Sequence, residues 1–382
     1  MRITLSKSIL IFIGLTLVSL SSFADSPKNI IMSNTQIQMS GYTKSPIASH
    51  DLPGYRKLKR VLVMLADEKQ VARLTAMIPG VEFVGSPGVV PSSIANQEFD
   101  AVMLVCSIPG ALDSVKNAAW IHSYSAGVED CLAHESLKSR NASGQDFILT
   151  NSSGTAASII GEHAIAMMMS FSRGLHHFRD EQNKANWSRS LVSESSVTTT
   201  IGGKTLLVLG LGSIGKEVAR RAHALGMRVI ATRNSSREGP DYVDYVGLAD
   251  ETLELAAQAD VIVNALPLTD STRGLIDKSF FKAMKSTALL VSVGRGKTTN
   301  TDDLLEAIRI GEIAGAALDV TDPEPLPADH PLWKERNVII TPHLAGTGGN
   351  ARAKTFALLF ENIRRYQAGE PLINIVDSKA GY

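Results

Sequence analysis

Residues 205–234 read Thr-Leu-Leu-Val-Leu-Gly-Leu-Gly-Ser-Ile-Gly-Lys-Glu-Val-Ala-Arg-Arg-Ala-His-Ala-Leu-Gly-Met-Arg-Val-Ile-Ala-Thr-Arg-Asn. An apolar run at 205–209 enters a turn carrying Gly210, Gly212 and Gly215. Val218, Ala219, Ala222 and Leu225 then recur on one helical face, and a second apolar run follows at 227–231. Strand, glycine turn, helix and strand in that order predict a βαβ unit. Each glycine has its own task in such a turn: the first permits the tight bend, the second lets backbone approach a pyrophosphate, and the third lets helix and strand pack closely. The amides of Ser213 and Ile214 would face phosphate oxygens at the helix N-terminus. Because the glycines sit inside a complete unit, dinucleotide binding is favoured over a structural turn.

On both sides of this unit, strands alternate with helical patterns. Upstream, strands are predicted at 59–65, 81–84, 101–105, 120–123 and 147–150, with a helix at 71–77; downstream they fall at 261–265, 288–293, 316–320 and 338–340. That alternation predicts an α/β fold with two Rossmann-like domains, each a parallel sheet flanked by helices. Between the domains a long helix starts near Ala157 and carries Ile159, Ile160, His163, Ala164, Met167, Met168 and Phe171 over more than one face, as expected of packing both on its own domain and on a partner subunit. The methionine run 167–169 reads as core or dimer packing. His163, His176 and His177 have no spacing that forces a metal site.

A length of 382 residues accommodates two domains. With 38 basic and 38 acidic side chains the net charge is zero, which points away from nucleic acid and toward a small-molecule partner. The N-terminus has the form of an export signal: Arg2 and Lys7 precede an apolar run at 9–20, and Ser22-Phe23-Ala24 offers a cleavage site before Asp25. The run is short of a membrane span, so cleavage and a periplasmic destination are expected rather than insertion, with a cytoplasmic location if the signal goes unused. Residues 25–55 lack either hydrophobic period and read as a linker or surface extension. Cys106 and Cys131 exclude a disulfide framework or a metal cluster. In an oxidising compartment they could pair, but two buried free thiols are the simpler expectation.

The chemistry sits where the later strands end. Leu266-Pro267-Leu268-Thr269 follows one strand, Gly294-Arg295-Gly296 the next, Asp319 and Glu324 the third, and Thr341-Pro342-His343 the last. In an open parallel sheet that carboxyl edge is the ligand-binding edge. A guanidinium can hold a carboxylate in bidentate fashion and polarise an adjacent carbonyl. A histidine can exchange a proton with the carbonyl oxygen, and a nearby carboxylate would favour its protonated form and orient it. In the first domain, Ser-Ala-Gly-Val at 125–128 forms a turn after a strand whose amides at Gly127 and Val128 could hold an anion, a reading no stronger than an ordinary turn by itself.

Taken together, Ser-Ala-Gly-Val at 125–128, Gly-Leu-Gly-Ser-Ile-Gly at 210–215, Leu-Pro-Leu-Thr at 266–269, Val-Gly-Arg-Gly at 293–296, Leu-Asp-Val-Thr-Asp-Pro-Glu-Pro-Leu at 318–326 and Thr-Pro-His-Leu-Ala-Gly at 341–346 resemble the D-2-hydroxyacid dehydrogenase family. The resemblance covers about 100–350 closely, extends more loosely from 59 to the C-terminus, and leaves out the first 50 or so residues. It implies reduction of a small 2-keto acid such as glyoxylate or hydroxypyruvate to a D-2-hydroxy acid, with Arg295, Glu324 and His343 as the catalytic triad. Gly127, Val128 and Arg295 would bind the substrate. Gly210, Gly212, Ser213, Ile214, Gly215, Arg233, Asn234, Leu266, Pro267, Thr272, Val293 and Asp319 would bind the cofactor, with Asp319 at the nicotinamide carboxamide. It also implies a homodimer, an interdomain active-site cleft hinged near 151–154 and 346, and a division into 56–152 and 346–382 for the substrate domain and 153–345 for the dinucleotide domain. Specificity contacts would come from Cys106-Ser107-Ile108 and Trp333.

Two features depart from the pattern. Where an NAD enzyme of this fold carries an acid for the ribose 2′-hydroxyl, Thr232-Arg233-Asn234-Ser235-Ser236-Arg237 has none until Glu238. Arg233, helped by Arg237, would suit a 2′-phosphate, so NADP(H) is expected over NAD(H). The export signal is the second departure, because nicotinamide cofactors are scarce outside the cytoplasm. A dinucleotide-dependent binding or sensor protein on the same fold is the alternative reading. The triad argues against the formate dehydrogenase branch, whereas the phosphite-oxidising branch keeps a similar triad and stays open.

Overall fold

The computed structural model describes residues 41–86, 88–108, 110–189, 198–234 and 236–381. The expected signal peptide at 1–24 and residues 25–40 of the expected linker lie outside them. Two parallel sheets form the frame. The first holds β1 (Arg60–Met64), β2 (Glu82–Ser86), β3 (Ala101–Leu104), β4 (Trp120–Ser123) and β5 (Ile148–Asn151) in the order β2-β1-β3-β4-β5. Its helices are α1 (Glu68–Met77), α2 (Ser92–Ala95), α3 (Glu129–Ala133) and α4 (Glu135–Ala142). All four residues of β3, Ala-Val-Met-Leu, are buried, as expected of a strand covered on both faces.

Next come α5 (Ala157–Ser172) and α6 (Leu175–Asn183), and then the second sheet. It contains β6 (Thr205–Leu209), β7 (Arg228–Thr232), β8 (Tyr245–Gly247), β9 (Val261–Asn264), β10 (Leu289–Ser292), β11 (Gly315–Leu318) and β12 (Val338–Ile340), with helices α7 (Ser213–Ala224), α8 (Thr252–Gln258), α9 (Lys278–Ala283) and α10 (Thr301–Arg309). The strand order is β12-β11-β10-β9-β6-β7-β8, so the chain reverses its direction of travel between β6 and β9. Leu209 is in register with Asn264, and Asn264 with Ser292. This register lines up the loops after β6, β9 and β10 on one edge, at the switch point where such sheets take ligands. Strand β8 was not anticipated from the sequence; it is a three-residue edge strand whose first residue, Tyr245, is exposed, too short for periodicity to register.

Helix α5 packs Ala164, Met167 and Met168 into the core of the second sheet with Leu206 and Val218, so the methionines are core residues. Helix α11 (Ala351–Ala368) returns to the first sheet, where Leu359, Ile363 and Tyr366 join Leu58, Val61 and Trp120. The Tyr366 and Trp120 rings stack at 4.9 Å. Residues 41–55 are fastened to the same region: the Thr43 amide donates to Asn374 Oδ1 at 2.9 Å, Lys44 forms a bridge with Ile373, and the Ser49 hydroxyl donates to the Tyr366 carbonyl at 3.3 Å.

One expectation is corrected. Cys106 and Cys131 form a disulfide, with a Cα–Cα distance of 5.1 Å, and neither cysteine is free. They stand 25 positions apart in sequence, but Cys106 follows β3 and Cys131 lies in α3, which pack into the same core cluster. Proximity of this kind comes from the sheet order and is invisible to spacing. Among the described residues no helix is long and apolar enough to cross a membrane, and no group of three His, Cys, Asp or Glu side chains is placed to hold a metal.

Candidate functional site

The glycine turn takes the tight bend and the close helix–strand approach that its spacing predicts. Gly210 has φ +88°, a conformation that L side chains resist. At Gly215 a Cβ would stand 2.2 Å from the Gly210 carbonyl oxygen, so only glycine lets α7 approach β6 this closely. Among the described residues, no atom apart from the adjoining chain lies within 4 Å of a Cβ built on Gly212, which leaves the backbone open to a ligand. Helix α7 starts at Ser213 without a side-chain cap, so the amides of its first turn, Ser213 and Ile214 included, stay available to an anion. An open cradle and uncapped amides fit the pyrophosphate of a dinucleotide.

At the end of β7, the two arginines differ. Arg233 is half-buried and its Nη1 donates to the Glu238 carbonyl at 2.8 Å. Arg237 is held by Glu251 and also donates to the Tyr245 hydroxyl at 2.9 Å. Glu251 therefore already neutralises Arg237. Asn234 is exposed.

After β11 and β12 the chain brings Asp319, Glu324 and His343 together. His343 Nδ1 lies 2.5 Å from Glu324 Oε1, and this hydrogen bond raises the histidine pKa above its ordinary value against the opposing effects of burial and of the nearby Arg295 charge. His343 has φ +50°, an uncommon conformation for a residue with a side chain. Asp319, almost fully buried, holds the turn in place. Its Oδ1 accepts from the Thr341 hydroxyl at 2.6 Å and the Leu344 amide at 3.0 Å, and its Oδ2 accepts from the Ala345 amide at 3.0 Å. Its backbone carbonyl also takes the His343 amide at 2.8 Å. Three of about four carboxylate acceptor positions are thus spent on the turn, which leaves one on Oδ2 for a ligand N–H. His163 of α5 reaches the same cluster, its Nε2 lying 3.0 Å from Thr341 Oγ1. The sequence pattern missed this role because His163 and Thr341 are 178 residues apart.

Arg295, after β10, faces the first domain. Its Nε donates to Glu129 Oε1 at 2.5 Å and its Nη1 to the Gly294 carbonyl at 2.9 Å. Its Nη2 lies over Gly127, where a Cβ would come within 1.9 Å of it. No backbone carbonyl among the described residues accepts from the amides of Gly127 or Val128. Glu129 was not singled out from the sequence. The only available signal was its place one residue beyond the 125–128 turn.

The remaining site residues shape the edge. The Leu266 amide donates to Asn264 Oδ1 at 3.2 Å, the Thr272 hydroxyl to the Pro267 carbonyl at 2.7 Å, and the buried Val293 to the Asn264 carbonyl at 3.0 Å. Gly294 is required because a Cβ there would meet the Leu266 carbonyl at 2.6 Å. Of the expected specificity contacts, Cys106 is taken by the disulfide and Ile108 packs against the first-sheet core. Trp333 is half exposed and its indole N–H donates to the Pro327 carbonyl at 2.8 Å.

Comparison with known proteins agrees with this architecture. The sequence profile described as "D-isomer specific 2-hydroxyacid dehydrogenase, NAD binding domain" matches residues 165–345. An uncharacterized protein from Corynebacterium melassecola is 35% identical over 288 residues, 75% of this chain and 91% of that protein. The glyoxylate reductase/hydroxypyruvate reductase of Mus musculus is 34% identical over 250 residues, 64% of this chain and 73% of that protein. Among solved structures, a D-isomer specific 2-hydroxyacid dehydrogenase from Xanthobacter autotrophicus in complex with NADPH and MES superposes with a TM-score of 0.70 at 25% identity, covering 86% of this chain and all of that one. With the two parallel sheets and the glycine turn, these matches place the chain in the D-2-hydroxyacid dehydrogenase family.

Proposed function

We propose that the protein reduces a small 2-keto acid to the D-2-hydroxy acid, using a nicotinamide dinucleotide held at the glycine turn. The observation that carries this reading is the 2.5 Å pairing of His343 with Glu324 on the edge that also carries Arg295 and the turn at 210–215. Bound there, the cofactor supplies hydride to the carbonyl carbon. Arg295, with the amides of Gly127 and Val128, holds the substrate carboxylate and polarises the neighbouring carbonyl. Glu324 occupies Nδ1 of His343 and so leaves Nε2 as the nitrogen that delivers a proton to the carbonyl oxygen. The negative Glu324 also favours the imidazolium form that a reduction consumes. Asp319 offers its remaining acceptor position to the carboxamide. The test is dinucleotide-dependent turnover of glyoxylate, hydroxypyruvate and pyruvate by the wild type, compared with Arg295→Ala and His343→Ala. Equal background rates in all three proteins, with cofactor still bound, overturn the reading in favour of a binding or sensor protein.

NADP(H) is the proposed cofactor. With Arg237 tied to Glu251, Arg233 is the guanidinium that meets the 2′-phosphate, at a strand end that carries no acid. A higher kcat/KM with NADPH than with NADH, reversed or levelled in Arg233→Ala, is expected; equal or better efficiency of the wild type with NADH refutes it. Export through the N-terminal signal is proposed as well. The Cys106–Cys131 disulfide supports it, because such bonds persist in oxidising compartments. N-terminal sequencing of the mature protein, expected to begin at Asp25, checks this.

A further inference from the structure

The proposed reaction assigns no part to Glu129, yet this carboxylate is the closest partner of the arginine on which the reaction depends. Nη1 of Arg295 is occupied by its own loop, through the Gly294 carbonyl at 2.9 Å, and Nε by Glu129 Oε1 at 2.5 Å. A Cβ built on Gly127 would stand 1.9 Å from Arg295 Nη2 and 2.5 Å from Glu129 Oε2, so both groups converge over the same glycine. The Glu129 carboxylate therefore lies beside Nε and Nη2, above the Gly127–Val128 turn. A substrate carboxylate needs that guanidinium edge and that turn. Both side chains keep about three tenths of their surface in contact with solvent, at 28% and 30%. A pair at this exposure exchanges at little cost.

We propose that Glu129 is a built-in competitor for Arg295: it neutralises the arginine in the empty cleft and is displaced when the carboxylate of a 2-keto acid binds. Two carboxylates cannot share one guanidinium edge without repulsion, so substrate binds only in the fraction of time in which Glu129 has released it. The residue then acts on specificity. A simple monocarboxylate offers only the contact that Glu129 already makes, whereas a 2-keto acid adds its carbonyl and wins the exchange. This inference rests on Arg295 being the carboxylate-binding residue of the proposed reaction.

The test compares wild type, Glu129→Gln and Glu129→Asp, each saturated with NADPH, by calorimetric titration with oxamate, an unreactive isostere of a 2-keto acid, and with acetate. KM and kcat for glyoxylate are measured in parallel. In Glu129→Gln, oxamate should bind about threefold more tightly, the size expected for releasing a partly exposed ion pair. The change in turnover should fall on KM rather than kcat, and acetate should become a measurable ligand. Glu129→Asp, with its shorter reach, should lie between. Unchanged or weaker oxamate binding in Glu129→Gln overturns the proposal and makes Glu129 a support for Arg295 or an idle neighbour. Should Glu129→Gln fail to fold, unchanged or weaker oxamate binding by Glu129→Asp overturns it. A wild type that turns over no keto acid while Glu129→Gln still tightens oxamate refutes the reaction and leaves this inference standing. Oxamate binding to none of the three proteins refutes both.

Discussion

Gly127→Ala tests the proposed substrate seat apart from the rest of the protein. The new Cβ would stand 1.9 Å from Arg295 Nη2 and 2.5 Å from Glu129 Oε2, so both side chains must retreat, the arginine by about 1.5 Å to reach ordinary contact. Both obstructing atoms are the ends of flexible, partly exposed chains, and Gly127 is not among the glycines with positive φ, so the fold itself is not strained. Stability should stay within about 0.5 kcal/mol of wild type, as for surface substitutions. Catalysis should not, because a misplacement of about 1 Å in a positioned group costs on the order of 100-fold. At ~1.36 kcal/mol per decade, that is roughly 2.7 kcal/mol of lost transition-state stabilisation. The assay is kcat/KM for glyoxylate at saturating NADPH, with the dissociation constant for NADPH and the thermal midpoint as controls that should not move. If kcat/KM stays within about threefold of wild type, Arg295 does not work over Gly127 and the assignment of this turn is wrong. A loss matched by unfolding or by loss of NADPH would instead make Gly127 a support of the fold or of the cofactor site.

Three further outcomes follow from the same geometry. In Glu324→Gln the main cause that raises the His343 pKa is removed while burial and Arg295 still lower it, so the pH above which reduction fails should move to lower pH; an unchanged profile counts against the pairing. Reducing the Cys106–Cys131 bond opens a 25-residue loop, and loop entropy puts the loss at roughly 3.5 kcal/mol, read by guanidinium unfolding with and without reductant; two titratable thiols in the denatured, unreduced protein would contradict the bond. Gly215→Ala and Gly212→Ala should separate packing from binding. The first forces a Cβ against the Gly210 carbonyl and should destabilise by about 1–3 kcal/mol. The second meets nothing among the described residues and should spare the melting temperature while raising the dissociation constant for NADPH, and a normal NADPH affinity would remove Gly212 from the site.

The residues in the dinucleotide unit could be read directly because each is constrained locally. Gly210 needs positive φ, Gly215 needs closeness and Gly212 needs open space, and all three needs arise within six residues. The buried strands could be read because a parallel sheet covered on both faces demands continuous apolar runs, as in Ala-Val-Met-Leu of β3. Edge strand β8 obeys no such demand and left no trace. The site was legible in part: the order of loops after β9 to β12 brought Arg295, Glu324 and His343 to one edge, since every strand of a parallel sheet ends on the same side. Backbone conformation and strand polarity thus made the α/β class, the glycine turn and the common edge of Arg295, Glu324 and His343 readable along the chain. Only the tertiary structure decided that Cys106 meets Cys131, that Asp319 and His163 converge on Thr341, and that Glu129 faces Arg295 from the other domain. Those pairings depend on which strands lie side by side and on how two domains meet, and neighbours in space separated by 22 to 178 positions leave no periodic mark along a chain.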